Sequence, residues 1–222
     1  MAKKTKRYVW KNPSMLAGTL VAILVLNTMF LAWAAAMPLY FGATADYSAT
    51  QENLSDPQLL HLLTDFFRGV MLLLTGLTLV WTWRVSTNAH SFRPNMEMSR
   101  LGSIGWYVVP IFFLFKPYQA MAEIWRVSET EAKKGAHRIV NWWWGAFLLS
   151  NILGYMVLSP AGARLKPWLG ISSDVCGVFV SLFLMVMVTR LSRMQVAKHA
   201  QRQAGGGESI EPSLSMVQSL AG

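Results

Sequence analysis

An uncharged run of 27 residues, Met15 to Phe41, constrains the fold of this chain more than any other feature. About 20 apolar residues are enough to cross the hydrocarbon core of a membrane, since an α-helix rises about 1.5 Å per residue. A basic segment, residues 1–14, precedes the run. A cleaved signal peptide is the alternative, but its apolar core of about 7–15 residues would be shorter. The run therefore predicts a membrane-spanning helix at about residues 15–41.

The composition of the whole chain agrees with a membrane protein. Charged residues make up 14% of the 222 residues, whereas soluble domains contain about a quarter. The net charge of +9 is also typical of nucleic-acid-binding proteins. Here, however, the Lys and Arg residues flank apolar runs and do not form one patch. We therefore expect the lipid bilayer and its anionic headgroups as partners, and no nucleic acid.

Three further apolar runs predict spans at about residues 60–83, 139–158 and 170–190. A basic loop is predicted at residues 84–103, and a basic helical extension of the last span at residues 190–202. Near the start of the first of these, Asp65 and Arg68 are three residues apart and so lie on one helix face. They predict an ion pair at the membrane interface, with a role in transport as the alternative.

A shorter apolar segment, residues 104–115, lies between the second and third spans. Pro110 interrupts it, and Lys116 and Pro117 end it. About a dozen apolar residues are too few for an ordinary span and are typical of a re-entrant segment, whose irregular backbone must be enclosed by protein or line a wet cavity. After Pro117 the pattern becomes amphipathic, with Met121, Ile124, Trp125 and Ser128 on one helical stripe. This predicts an interfacial helix at residues 117–131 along the membrane surface.

These patterns predict an all-α integral membrane protein with four transmembrane helices, a short re-entrant or broken helix, and an interfacial amphipathic helix. Residues 15–203 form a single polytopic membrane domain in this scheme. Residues 204–222 are predicted to be a disordered tail, because the glycines at 205–207 should end the last helix and few large apolar residues follow.

The distribution of Lys and Arg distinguishes between two topologies. If residues 104–115 are re-entrant, the inner segments contain 17 of these residues and the outer loops contain two. If the segment crosses, the two sides contain 10 and 9. Because Lys and Arg concentrate on the cytoplasmic side, we expect four spans in the cell inner membrane. Met1, Ser128 and Gly222 are then all cytoplasmic.

Five polar residues are the candidate functional site, because they flank the broken segment at the predicted cytoplasmic interface: Arg84, Asn88, Gln119, Glu123 and Arg126. In one interpretation, Glu123 pairs with Arg84 or Arg126 and fixes the re-entrant segment in place. In the other, the five residues line a pocket for an ion, a lipid headgroup or a small metabolite. Tryptophans are predicted as interfacial anchors, namely Trp106, Trp125, Trp142, Trp143 and Trp144.

Several kinds of chemistry have no support in the sequence. Haem bound between spans would need axial ligands at membrane depth, yet the four histidines fall in predicted loops or near helix ends, at positions 61, 90, 137 and 199. No His and carboxylate cluster predicts a metal site, and no glycine-rich loop after a strand predicts a nucleotide. The lone Cys176 lies in an apolar run, where cysteine is usually a small packing residue. We therefore expect no cofactor, no metal and no enzymatic activity.

Several blocks of sequence resemble a known family. They are Trp81-Thr82-Trp83-Arg84 with Asn88-Ala89, then Gly105-Trp106, Pro110, Pro117-Tyr118-Gln119-Ala120-Met121, Glu123-Ile124-Trp125-Arg126-Val127-Ser128, and the cluster at 142–144. Over roughly residues 60–195 the chain is similar to the bacterial membrane family named domain of unknown function 4328. The resemblance implies a membrane architecture and implies no activity.

Two classes of function agree with these observations. The first is a non-enzymatic membrane scaffold or accessory subunit, which contacts anionic lipid and packs against a membrane protein partner or a second copy. The alternative is a small oligomeric transporter or channel-like protein. Charges are nearly absent from the middle of each predicted span, which favours the first, whereas a wet polar cavity at the membrane midplane would favour the second.

Overall fold

The computed structural model describes residues 9–40, 57–107, 109, 111–129, 138–159 and 165–208, and over these residues all regular secondary structure is helical, with no strand. This confirms the all-α prediction. The helices are α1 (Ser14–Tyr40), α2 (Pro57–Phe92), α3 (Gly102–Gly105), α4 (Lys116–Ser128), α5 (Arg138–Leu158) and α6 (Lys166–Glu208), and a 3₁₀ turn at Phe112–Leu114 precedes α4.

Within the described residues, three segments are long and apolar enough to cross a membrane. They are Ser14–Ala36 in α1, Asp65–Phe92 in α2 and Trp168–Gly205 in α6. The fourth predicted span corresponds to α5, which has 21 residues but is not among these three. The structure therefore supports a multi-pass membrane protein with three apolar helices of spanning length.

The start of α1 is fixed by an asparagine cap. The Asn12 side chain accepts a hydrogen bond from the Ser14 backbone N–H (2.9 Å), and Pro13 occupies the first turn, where a missing N–H has no cost. The Pro13 carbonyl then accepts the Ala17 N–H at 2.9 Å. Residues 9–13 therefore enter α1 as an extended segment, which we call the N-terminal segment.

Helix α2 is longer than the sequence predicted. We expected a basic loop from residue 84, but α2 continues to Phe92. Only Arg93, which precedes Pro94, is disfavoured in the helical conformation, so nothing stops the helix earlier. This extension places Arg84 and Asn88 on the helix, and His90 lies in its last turn, in agreement with the prediction that the histidines lie in loops or near helix ends.

Helix α6 runs from Lys166 to Glu208 without a break, which confirms the predicted basic extension beyond the apolar part. It ends at Glu208, directly after the glycines at 205–207 that were predicted to end it. The predicted tail from residue 209 onward lies outside the described residues.

Helix α6 is central and packs against α1 on one side and α5 on the other. Glycine at position 177 allows close approach to α1, because an added Cβ would lie 3.1 Å from the Leu31 side chain, which would have to shift by a few tenths of an ångström. Ser150 of α5 and Ser173 of α6 exchange hydrogen bonds between hydroxyl and carbonyl groups, both 3.3 Å. These contacts set the register in which the polar inner ends of the helices meet.

The predicted ion pair near the start of α2 is confirmed. Arg68 Nη1 lies 3.1 Å from Asp65 Oδ1, and both side chains are exposed. An exposed pair of this kind adds little to stability.

Candidate functional site

Helix α4, which corresponds to the predicted interfacial helix, packs one face into the protein core. The stripe predicted from the sequence, Met121, Ile124, Trp125 and Ser128, is buried, with 2% exposure or less at each position. The stripe was predicted correctly, but it contacts α2, α5 and α6 in place of lipid. The reason is the long α2 and α6, which extend past the apolar region and cover this face of α4.

Asn88, one of the five candidate residues, is completely buried and binds the main chain of the N-terminal segment. Its Oδ1 accepts the Lys11 N–H (3.0 Å), and its Nδ2 donates to the Lys11 carbonyl (2.9 Å). The carboxamide thus occupies both polar groups of one extended residue, as a neighbouring β-strand would. Without Asn88, that N–H and carbonyl would have no partner at this position.

Gln195 of α6 completes the network and is also completely buried. Its Oε1 accepts the second Asn88 Nδ2 hydrogen (3.1 Å). Its Nε2 donates to the Val85 carbonyl (2.9 Å) and to Ser128 Oγ (3.1 Å). Since Ser128 Oγ donates to the Ile124 carbonyl (2.8 Å), every donor hydrogen of these three side chains is used within the chain. We call Lys11, Asn88, Ser128 and Gln195 the carboxamide network.

Two more contacts fix the N-terminal segment. Arg84 Nη1 donates to the Asn12 carbonyl at 3.2 Å. The Trp10 ring stacks on His199 of α6, with ring centroids 3.9 Å apart. Consequently α2 and α6 both hold residues 10–12, and α1 enters the bundle at a defined position.

The predicted pairing of Glu123 with Arg84 or Arg126 is wrong. Both Glu123 carboxylate oxygens accept backbone N–H groups of the loop after α2, from Glu97 (2.7 Å) and Met98 (3.0 Å). Arg126 Nε donates to the Ala122 carbonyl of its own helix at 3.3 Å. Loop amides that would otherwise lack partners are good ligands for a carboxylate, and they lie nearer to Glu123 than either guanidinium. Glu123 therefore positions the loop that leads to the broken segment.

Basic residues of α6 satisfy the carbonyl groups at the ends of two helices. Lys198 Nζ donates to the Val127 and Glu129 carbonyls at the end of α4. Arg202 donates to the Ser91 (3.3 Å) and Phe92 (2.8 Å) carbonyls at the end of α2. A helix leaves its last carbonyls without intrahelical partners and carries partial negative charge there, so these cations stabilise both ends.

The other predicted positions separate into exposed and buried groups. Gln119 and Arg126 are exposed, away from the carboxamide network. Of the predicted interfacial tryptophans, Trp125, Trp143 and Trp144 are buried in the protein, with at most 6% exposure, so that role is wrong for them. Trp142 is 67% exposed and Trp106 is half-buried against Phe112. Pro117 is buried in the first turn of α4, and Pro110 lies outside the described residues.

The sequence does not mark Lys11, Ser128, Gln195 or Lys198 as site residues. Gln195 lies in the basic extension of α6, which looked solvated, and its neighbours give no periodic signal for burial. Lys11 takes part only through its main-chain N–H and carbonyl, so its residue type gives no signal of this contact in the sequence. A sequence signal was present at Lys198 and Arg202, since cations near helix carbonyl ends are common, but their partners lie on other helices.

Within the described residues, no group of three or more His, Cys, Asp or Glu side chains could hold a metal ion. The carboxamide network is a set of hydrogen bonds between helix ends. The fold and these contacts together define an all-helical, multi-pass type of membrane protein.

Comparison with known sequences gives the family. The family model described as domain of unknown function (DUF4328) matches residues 43–193, and the chain belongs to this family. No curated protein and no solved structure matches the chain. The family match begins after α1, so the N-terminal segment that Asn88 binds lies outside the matched residues.

The carboxamide network predicts a specific loss of stability on replacement of Asn88. The Asn88→Leu variant keeps the side-chain volume but leaves the Lys11 N–H, the Lys11 carbonyl and Gln195 Oε1 without partners. We expect a loss of about 1–3 kcal/mol, since Gln195 Oε1 becomes an unpaired buried acceptor, whereas Lys11 is exposed and its main chain can bond to water. Unfolding of detergent-solubilised protein measures it. Asn151→Leu is the matched control, because Asn151 is exposed and bonds only to Phe147 of its own helix; equal losses would contradict the prediction.

Arg84 and Glu123 are predicted to act independently. They share no partner in the structure, so the stability losses of Arg84→Ala and Glu123→Ala should add to within about 0.5 kcal/mol in the double variant. A double-mutant cycle on unfolding free energies measures this. A stability loss in the double variant that is well below the sum of the two single losses would support pairing of Glu123 with Arg84.

Proposed function

We propose that this protein is a non-enzymatic scaffold of the bacterial inner membrane, with four membrane-spanning helices and both termini in the cytoplasm. The observation that favours a scaffold is the saturated carboxamide network. The buried polar groups of this network are already bonded to each other and to main chain. Such a network fixes helix ends relative to one another and leaves no donor for a ligand.

The proposal that α5 is the fourth span rests on its length and its outer surface. Its 21 residues give a length of about 31 Å, close to the roughly 30 Å of a bilayer core. Trp142, Leu149 and Ile152 follow one outward stripe and are 48–67% exposed. An exposed apolar stripe on a helix that packs along α6 suits contact with lipid, although Asn141 and Asn151 lower its hydropathy.

The proposal that the segment before α4 is re-entrant rests on its depth. The Ser150–Ser173 contact aligns α5 with α6. Trp144 lies six residues, or about 9 Å, from the start of α5 at Arg138, which is about a third of the way along this proposed span. There the Trp144 Nε1–H donates to the Leu114 carbonyl (2.9 Å). Irregular backbone is tolerated at such a depth only when protein satisfies its polar groups, and Trp144 does so.

Helix α4 then returns toward the inner end of the bundle. Its first turns are fixed to α5 by the hydrogen bond from Tyr118 OH to Asn141 Oδ1 (2.9 Å), and its last turn is fixed to α6 by Ser128 and Gln195. On the α5–α6 register these two points are separated by about 20 Å along the bundle. The proposed scaffold thus has a re-entrant hairpin whose descending arm is α4.

A small transporter or channel-like protein is the second candidate, and one observation favours it. Asn27, in the middle of α1, donates to Ser181 Oγ of α6 (3.1 Å), while its buried Oδ1 has no hydrogen-bond partner among the described residues. A polar pair at mid-span with an unused acceptor is what a wet transport path would need. In the scaffold, the same pair only sets helix register.

One cysteine-labelling experiment tests both topology and function class. On a Cys176→Ala background, single cysteines at Met1, Arg126 and Gly222 should react with a membrane-impermeant maleimide only after the inner face is opened. A cysteine at Ser181 should stay unreactive from either side, because the scaffold has no water at mid-span.

The outcomes separate the two claims. Outside labelling at position 126 or 222 would contradict the four-span topology. Labelling at 181 that matches the rate at 126 would show a water-filled path and favour the transporter. A cysteine at exposed Gly145 of α5, which faces lipid in this proposal, is the control for a thiol that is on the protein surface but not in water.

A further inference from the structure

A second set of polar residues lies on the outside of the molecule, where α4 and α5 run side by side. Gln119 and Arg126 of α4 and Arg138 and Asn141 of α5 are all exposed. The hydrogen bond from Tyr118 OH to Asn141 Oδ1, 2.9 Å long, joins the two helices at this place. We call these four exposed residues the α4–α5 seam.

The seam offers hydrogen-bond donors and positive charge. Because Asn141 Oδ1 already accepts from Tyr118, its Nδ2 group remains as the donor. Arg126 uses only Nε, on the Ala122 carbonyl, so both of its terminal nitrogens are available. Glu123, the α4 carboxylate closest to the seam in sequence, is bonded to loop amides and is not paired with the seam arginines.

An apolar surface begins directly beside these donors. Trp142 adjoins Asn141 and is 67% exposed, and Leu149 (48%) and Ile152 (58%) continue the same face of α5 toward its other end. On the α4 side, Leu114 is 52% exposed just before the helix begins. The surface therefore has a cationic, donor-rich end and an apolar strip about 15 Å long, from position 142 to position 152 at about 1.5 Å per residue.

This pattern matches the two ends of a phospholipid. Guanidinium groups bind phosphate oxygens through paired N–H donors, and the apolar strip has a length suited to part of an acyl chain. A soluble anion would bind only at the cationic end and would make no contact with the apolar strip of α5. The same residues would repel a basic segment of another protein.

We propose that the α4–α5 seam binds the phosphate of an anionic phospholipid from the inner leaflet, with Arg126 and Arg138 as the cations and Gln119 and Asn141 as neutral donors. The acyl chains lie along Trp142, Leu149 and Ile152. This inference rests on the membrane placement proposed above, in which the seam faces the inner half of the bilayer. It adds a defined lipid site to a protein whose internal polar network is closed to ligands.

Native mass spectrometry of the full chain in a neutral detergent tests the site, with phosphatidylglycerol and phosphatidylcholine as probes. The wild type should retain phosphatidylglycerol in preference. The Arg126→Gln/Arg138→Gln variant should bind it about 25-fold more weakly, since one basic residue near anionic lipid contributes about a fivefold factor. Phosphatidylcholine retention should change little.

The matched control is Arg190→Gln/Arg193→Gln, which removes the same charge from two exposed arginines on α6. It should keep phosphatidylglycerol affinity within about twofold. Equal losses in both double variants would mean general attraction to a basic surface, and unchanged binding in the seam variant would also overturn the proposal. Displacement of the lipid by millimolar inorganic phosphate would assign the seam to a soluble anion instead.

Folding of the seam variant is checked by its unfolding temperature in lipid-free detergent. If that temperature falls, Arg126→Lys/Arg138→Lys replaces it, which keeps the charge and removes the planar donor pair. The lysine variant should retain phosphatidylglycerol more weakly than the wild type, and wild-type affinity would contradict guanidinium recognition. Loss of lipid binding leaves the cysteine labelling pattern unchanged, so failure of this inference is distinguishable from failure of the topology.

Discussion

The pairing of the Asn88 carboxamide with the main chain of Lys11 is the interaction on which the rest of this structure depends. It joins the segment before α1 to the inner end of α2, and Gln195 extends it to α4 and α6. In a membrane protein, apolar burial does little to bring helices together, because lipid is as apolar as the helix surface. Hydrogen bonds and close packing must supply the specificity, and here they are concentrated at one end of the bundle.

The same constraint explains how the chain uses its charges. Lys198 and Arg202 satisfy carbonyls at the ends of α4 and α2, and Glu123 satisfies two loop amides. Each compensates main-chain groups that a broken or ended helix leaves without partners. Among the described residues, these charges are therefore matched to main chain and not to opposite charge.

Much of the helical architecture could be predicted from the sequence, because apolar length fixes the helices and Arg93-Pro94 or Asn12-Pro13 fix their ends. The stripe of Met121, Ile124 and Trp125 was also predictable from helical spacing. The contacts of the site were not. Asn88 was identified as a site residue, but its partner Lys11 takes part through main chain, which no side-chain pattern reveals. Charge complementarity suggested that Glu123 pairs with Arg84. In the structure each of them bonds to nearby main chain instead, and a sequence does not show which of the two arrangements is more stable.

Hydrogen exchange at the Lys11 amide tests the central role of the carboxamide network most directly. This N–H lies outside any helix, and Asn88 Oδ1 is its acceptor in the structure. In the wild type, the Lys11 amide should exchange about 100-fold or more slowly than in a free chain, which corresponds to an opening free energy of about 3 kcal/mol. Protection should be lost in Asn88→Leu while amides in the middle of α1 stay protected. Exchange of the Lys11 amide at the free-chain rate in the wild type would contradict the account.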